Sequence, residues 1–165
     1  MKKCWVILLM ALLLSGCAAQ ETFETLSDDY DISAMAQMQQ LQLTLPEDAA
    51  VTTMENDETG KIYLCDGYSV AVQTMQAGDL NKTLRQVTGF SKEQLTVMQT
   101  RKDGITRYEC VWSAAGEGGD QVCRAAILDD GSYHYAVTVM AEQAAAGQQT
   151  KTWQSILDSI TLSTG

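Results

Sequence analysis

Histidine and proline are almost missing from this chain: His134 and Pro46 are each the sole example among 165 residues. A lone histidine has no second imidazole with which to share a metal, and acid–base work by it would need a nucleophile and an orienting group alongside. His134 therefore reads as a structural strand residue, with a two-residue Asp130-Gly131 turn setting it across from Ile127. Ser-x-x-Lys, His-Glu-x-x-His and Gly-x-Ser-x-Gly are also absent, which removes the commonest serine- and zinc-hydrolase signatures. The one glycine-dense stretch, Gly116 to Gly119, lacks the Lys-Ser/Thr of a phosphate loop and reads as a hairpin tip. No Cys-x-x-Cys exists to make a zinc ribbon. Asp57, Glu58, Asp129 and Asp130 lie in turn-like stretches without the spacing of a calcium loop. No catalytic set, metal site or cofactor is expected, and the chain is not expected to be an enzyme.

Positive charge is scarce as well. Eleven Lys and Arg face twenty-one Asp and Glu, for a net charge of −10. Such a surface repels phosphate backbones and anionic headgroups, so nucleic-acid binding is not expected. The acidity could favour a basic partner or divalent cations, but solubility outside the cell is the stronger expectation.

Long apolar runs are lacking too. The run from Trp5 to Leu14 is too short to cross a bilayer as a helix. It follows Lys2 and Lys3 and ends in Leu14-Ser15-Gly16-Cys17, the build of a secretory signal. A cysteine directly after Ser-Gly resembles the bacterial lipoprotein signal. That resemblance implies cleavage before Cys17, so that residues 1–16 are a signal peptide, and attachment of diacylglycerol to the Cys17 sulfur. Two acyl chains hold a protein stably where one holds it only weakly. The mature chain would then sit on the outer face of a bacterial membrane without crossing it. Residues 17–40 read as an acidic, flexible tether carrying Glu21, Glu24, Asp28, Asp29 and Asp31. Some 16 residues of coil would hold the body roughly 20–25 Å off the surface.

What is present is a strand-rich body over residues 41–165. Leu41, Leu43 and Leu45 alternate with polar residues, the period of a half-buried strand. A second strand is expected at Val51 to Met54, a polar turn at Asp57 to Gly60, and a hairpin of Lys61–Cys65 and Tyr68–Gln73 about Asp66-Gly67. Asp79 as N-cap, Leu80, Leu84 and Val87 on one stripe, and Gly89 at the end predict a short amphipathic helix. Ser91-x-x-Gln94 is a capping-box pattern. Leu95–Arg101, Ile105–Ser113, Gln121–Leu128 and Tyr133–Met140 then form a meander through two more Asp-Gly turns. Trp153, Ile156, Leu157 and Ile160 make the apolar stripe of a closing helix, and Thr161-Leu162 leaves it as an extended tail. The expected class is α+β, one antiparallel sheet of five to seven strands covered by two helices.

With Cys4 in the signal and Cys17 lipidated, three cysteines are left: Cys65, Cys110 and Cys123. Three permits at most one internal bridge. If Gly116-Glu117 is the turn, Cys110 lies opposite Cys123 and a disulfide fits. If Glu117-Gly118 turns, the two are diagonal and a bridge strains. A three-residue loop puts them on opposite faces. Tyr108, Trp112, Tyr133, Tyr135 and Trp153 suit either a ligand cleft or a packed sheet, and sheet packing is the stronger expectation.

Leu45-Pro46-Glu47, Asp-Gly-Ser-Tyr-His-Tyr at 130–135 and the Trp153 to Leu162 segment resemble, in order and apolar pattern, the PsbP-like group of small exported proteins and the related DcrB-like lipoproteins. The resemblance covers residues 41–162 and implies a mostly non-catalytic accessory or binding role. It carries over no site residue. The expected function is a membrane-anchored extracytoplasmic accessory or binding module with an envelope protein or peptide as partner. The alternatives are a small-molecule or cation binder and, behind it, a thiol-dependent enzyme using a free cysteine.

Overall fold

A computed structural model describes residues 37–54, 57–116 and 118–163. The signal segment, Cys17 and most of the tether lie outside the described residues. The elements are β1 Gln40–Gln42, β2 Ala50–Met54, β3 Asp57–Cys65, β4 Tyr68–Gln76, α1 Leu80–Thr88, a 3₁₀ turn Lys92–Gln94, β5 Val97–Lys102, β6 Ile105–Gly116, β7 Gly119–Asp129, β8 Tyr133–Glu142, α2 Gln143–Asp158 and β9 Thr161–Ser163. The fold is α+β. Seven antiparallel strands run in the order β2-β3-β4-β8-β7-β6-β5, and β1 pairs with β9 in a separate two-stranded sheet.

Period-2 alternation sorts the strand residues onto two faces, each covered by one helix. On one face Val70, Leu128, Val137 and Val139 pack under Trp153, Ile156 and Leu157 of α2. On the other, Cys110, Cys123, Ala125, Ile127 and Ala136 lie with Leu84 of α1, which is fully buried. The small residues Ala125 and Ala136 give the second face room for a helix of only nine residues. That helix has the caps its sequence predicts. The Asp79 carboxylate accepts from the Asn81 N–H at 3.0 Å. Gly89 takes a left-handed φ of 81° and donates its N–H to the Arg85 carbonyl. The Gln94 side chain accepts from the Ser91 N–H, so the capping-box signal marks the short 3₁₀ turn. Helix α1 carries the chain across the sheet from β4 to β5 at the far edge.

Several expectations are corrected. The Leu41–Leu45 strand is shorter and stands apart from the main sheet, because Gln40–Gln42 pairs with the tail at Thr161–Ser163. Leu43 and Leu45 still pack on the core. Asp57–Gly60 is not a turn; β3 begins at Asp57, and an irregularity between Thr53 and Met54 takes up the mismatch with β2. Local polarity suggested a turn there, but pairing with β2 draws the stretch into the ladder.

The β7–β8 hairpin does not have the two-residue turn expected, whereas the β6–β7 hairpin takes the Glu117-Gly118 register, one of the alternatives the sequence left open. Asp129, not Ile127, faces His134. The Asp130 carboxylate accepts from the Ser132 and Tyr133 N–H groups at 2.8 and 2.7 Å, which stabilises a longer loop and moves the pairing by two residues. A two-residue slip preserves every side chain's face. In the β6–β7 hairpin, Gly116 pairs with Gly119, so Cys110 faces Ala125 and Cys123 faces Trp112. This is the diagonal arrangement, not the directly opposed one, and Cys65, Cys110 and Cys123 are free thiols in this structure.

Candidate functional site

The β5–β6 hairpin has unequal arms. The Asp103-Gly104 turn has positive φ at both residues, 52° and 84°, as a type I′ turn requires. It sets Lys102 opposite Ile105 and Val97 opposite Cys110. There β5 begins, because the preceding chain bends away through the capped 3₁₀ turn. β6 runs on to Gly116 with only β7 as ladder partner among the described residues. From Val111 to Gly116 the outer edge of β6 therefore has no ladder partner among the described residues. Val111 is 58 % exposed.

A cavity flanks this open edge on each side. One, of about 330 Å³, lies between α2 and the sheet and is lined by Val111, Val122, Ala146, Gly147 and Trp153, with Arg124 at its wall. The other, of about 310 Å³, lies between Phe90, Leu95, Thr96 and the β6 residues Val111, Trp112 and Ser113. Val111 belongs to both.

The wall of the first cavity is braced by hydrogen bonds and ion pairs. Glu109 accepts from Arg107 and from Arg124, each at 2.8 Å. Arg124 also donates to the Gln154 side chain at 2.6 Å, and Arg107 donates to the Leu157 carbonyl at 2.9 Å. Gln154 in turn donates to Asp158. This relay ties α2 to β6 and β7. Partial burial by itself would raise the Glu109 pKa, but the hydrogen bonds and charges of Arg124 and Arg107 outweigh it and hold the carboxyl below its usual range.

His134 lies elsewhere, under α1. It is 1 % exposed, with its Nδ1 2.7 Å from the Thr83 hydroxyl and its Nε2 3.6 Å from the Asp129 carboxylate. The histidine is a buried polar pin between helix and sheet. A third cavity, of about 320 Å³ and lined by Asp79, Lys82, Thr83 and Gln86, opens beside it.

The thiols are not set up as nucleophiles. Burial lifts Cys110 to about 11, with the Glu109 charge adding to it, and burial also raises Cys123. Cys65 is raised by burial foremost and by the Asp48 charge, against a smaller lowering effect of the nearby Tyr68 hydroxyl. A reactive cysteine needs the opposite shift. Among the described residues no group of three His, Cys, Asp or Glu side chains could hold a metal. Of the aromatics singled out from sequence, Tyr135 is fully buried, whereas Trp112 and Trp153 are nearly buried yet reach the cavities at the β6 edge. Sequence reading did not place this edge, although arm lengths counted from Asp103-Gly104 would have shown it.

No protein-family model matches the chain, and no curated protein does. Solved structures do. Cyanobacterial PsbP (CyanoP) from Synechocystis sp. PCC 6803 aligns over 77 % of this chain and 95 % of its own, at 8 % identity and a TM-score of 0.55. The chain has a PsbP-like fold. LpqN, involved in cell envelope biogenesis of Mycobacterium tuberculosis, aligns over 78 % and 86 % at 10 % identity and a TM-score of 0.48. The Saccharomyces cerevisiae Ran-binding protein Mog1p aligns over 74 % and 89 % at 11 % identity and 0.45. At these identities the likeness is one of fold alone. Among the described residues no helix is long and apolar enough to cross a membrane.

Proposed function

We propose that this chain is a non-catalytic binding module, held by lipid on Cys17 to the outer face of a bacterial membrane and serving a protein or peptide of the cell envelope. The observation that carries the binding role is the β6 edge, unpaired among the described residues, between an apolar cavity beside α2 and a mixed polar and apolar one beside Phe90, in a body whose thiols are all shifted away from reactivity. Leu14-Ser15-Gly16-Cys17, at the end of a correctly built export signal, supports the anchor. An acidic spacer between lipid and body would let the module reach a partner standing off the membrane while avoiding anionic headgroups.

The test is fractionation of cells making the chain or Cys17→Ser. The parent should stay with membranes through a high-salt wash and carry a thioether lipid by mass spectrometry; Cys17→Ser should be released. A Cys17→Ser protein that stays membrane-bound after the wash sinks the anchor. A clear thermal shift with calcium, zinc or a metabolite, with no adduct on crosslinking intact cells, would favour the small-molecule or cation reading, since specific binding to the folded state raises stability by mass action.

A further inference from the structure

We infer that the outer edge of β6 from Val111 to Gly116 accepts an extended segment of a partner protein as an added strand. The segment's alternate side chains are apolar, and it carries Lys or Arg at the end beside Gly116. This deepens the binding-module reading above and rests on it. Strand addition takes affinity from main-chain hydrogen bonds and specificity from pockets that receive alternate side chains. Both parts are here. The six residues Val111–Gly116 span about 20 Å of ladder with no strand partner on their outer side among the described residues. An added strand antiparallel to β6 would run in line with β5 and point its side chains alternately to the two faces. Those are the faces on which the cavities by Trp153 and by Phe90 open.

Charge fixes the remaining chemistry. The Gly116 end of the sheet is acidic: Asp120 on β7 faces Ala115, and Glu142 on β8 faces Gln121. The Glu142 carboxylate lies so close over Gly118 that a Cβ there would meet it at 2.5 Å. The cation lining the larger cavity, Arg124, is already bonded to Glu109 and Gln154. A basic residue at the strand's near end therefore complements the site, and an acidic one is repelled. A second copy of this chain fits less well. Its own β6 edge would offer Ser113, Ala114 and Ala115, too small to fill cavities of over 300 Å³, and would bring more acid to an acidic end.

The test is selection of binders from a random octapeptide display library on the full chain, then on Gly147→Trp. Nothing lies within 4 Å of a Cβ at Gly147, so a tryptophan can enter the cavity without displacing backbone. Circular dichroism and the thermal midpoint confirm that the variant is folded. Selected peptides should alternate apolar residues, carry Lys or Arg at one end, lose at least tenfold in affinity on Gly147→Trp, and lose a similar factor when the basic end is made Glu. Amide NMR shifts on binding should centre on Val111–Gly116. Failure to select such peptides, binding indifferent to Gly147→Trp, or shifts centred elsewhere overturns the assignment. So does a dimer, seen by sedimentation, that Gly147→Trp dissociates. If the edge fails while Cys17→Ser still releases the protein and crosslinked partners persist with Gly147→Trp, the anchored-module reading stands and only the docking site falls.

Discussion

Asp130 joins the first described segment of the chain to the sheet, and its removal gives a sharp test of that join. One carboxylate oxygen accepts from the Ser132 and Tyr133 N–H groups. The other accepts from the Tyr135 hydroxyl at 2.9 Å and from the Gln39 side-chain amide at 3.2 Å. The Tyr135 hydroxyl in turn accepts from the Gln39 N–H at 2.8 Å. Burial foremost, with the Asp130 charge behind it, pushes the Tyr135 pKa up to about 12, so the phenol remains a donor. Hydrogen bonds to a charged group are each worth about 1.5–3 kcal/mol. Two of these close a local loop and the site is partly solvated, so Asp130→Ala should cost about 2–3 kcal/mol rather than the full sum. That corresponds to a thermal midpoint lower by roughly 10 °C for a domain of this size.

The pH dependence follows in sign. Burial would raise the Asp130 pKa, but the Tyr133 and Ser132 N–H groups, Tyr135 and Gln39 together hold it below the ordinary 3.8. A depressed folded-state pKa contributes stability that is complete above the ordinary value and is lost as pH falls through the lower, folded one. The gap between parent and Asp130→Asn, measured by urea unfolding, should therefore be widest at neutral pH and narrow below about pH 4. Glu109 titrates with the same sign in both proteins and cancels in the difference. Hydrogen exchange should show faster opening at Gln39–Gln42 in the variant. A loss of under about 0.5 kcal/mol for Asp130→Ala, within the range of ordinary surface substitutions, or a gap that does not change with pH, would refute the reasoning.

Two further outcomes are expected. Thr83→Val deprives the fully buried His134 Nδ1 of its 2.7 Å partner and should cost about 1–3 kcal/mol by chemical denaturation; an unchanged midpoint would show that the contact does not pin α1 to the sheet. In the native protein Cys65 should react with a thiol reagent well before Cys110 and Cys123, which are 3 % exposed and become reactive only on unfolding. Peptide mapping that finds a Cys110–Cys123 bridge would contradict the register of β6 on β7, and fast labelling of Cys110 would contradict its burial under α1.

Local chemistry in the sequence determined a good part of this protein. Asp79 and Gly89 bound α1, Asp66-Gly67 and Asp103-Gly104 make hairpins, and the Trp153, Ile156, Leu157 stripe buries α2, because caps, turns and apolar periodicity act within a few residues. The α+β class followed from their order. Tertiary structure alone decided the pairing of Gln40–Gln42 with Thr161–Ser163, partners 123 positions apart at Gln40 and Ser163. It decided that the two helices take opposite faces of the sheet, and that the Asp130 loop is tied to Gln39 across 91 positions. The open edge of β6 belongs between the two. Its arm lengths are written in the turn and the capping residues, but the cavities beside it exist only once α2 and the Phe90–Thr96 segment have packed from opposite sides. Propensity acts over a turn or two, whereas a cavity is the gap left by elements that meet only in the folded chain.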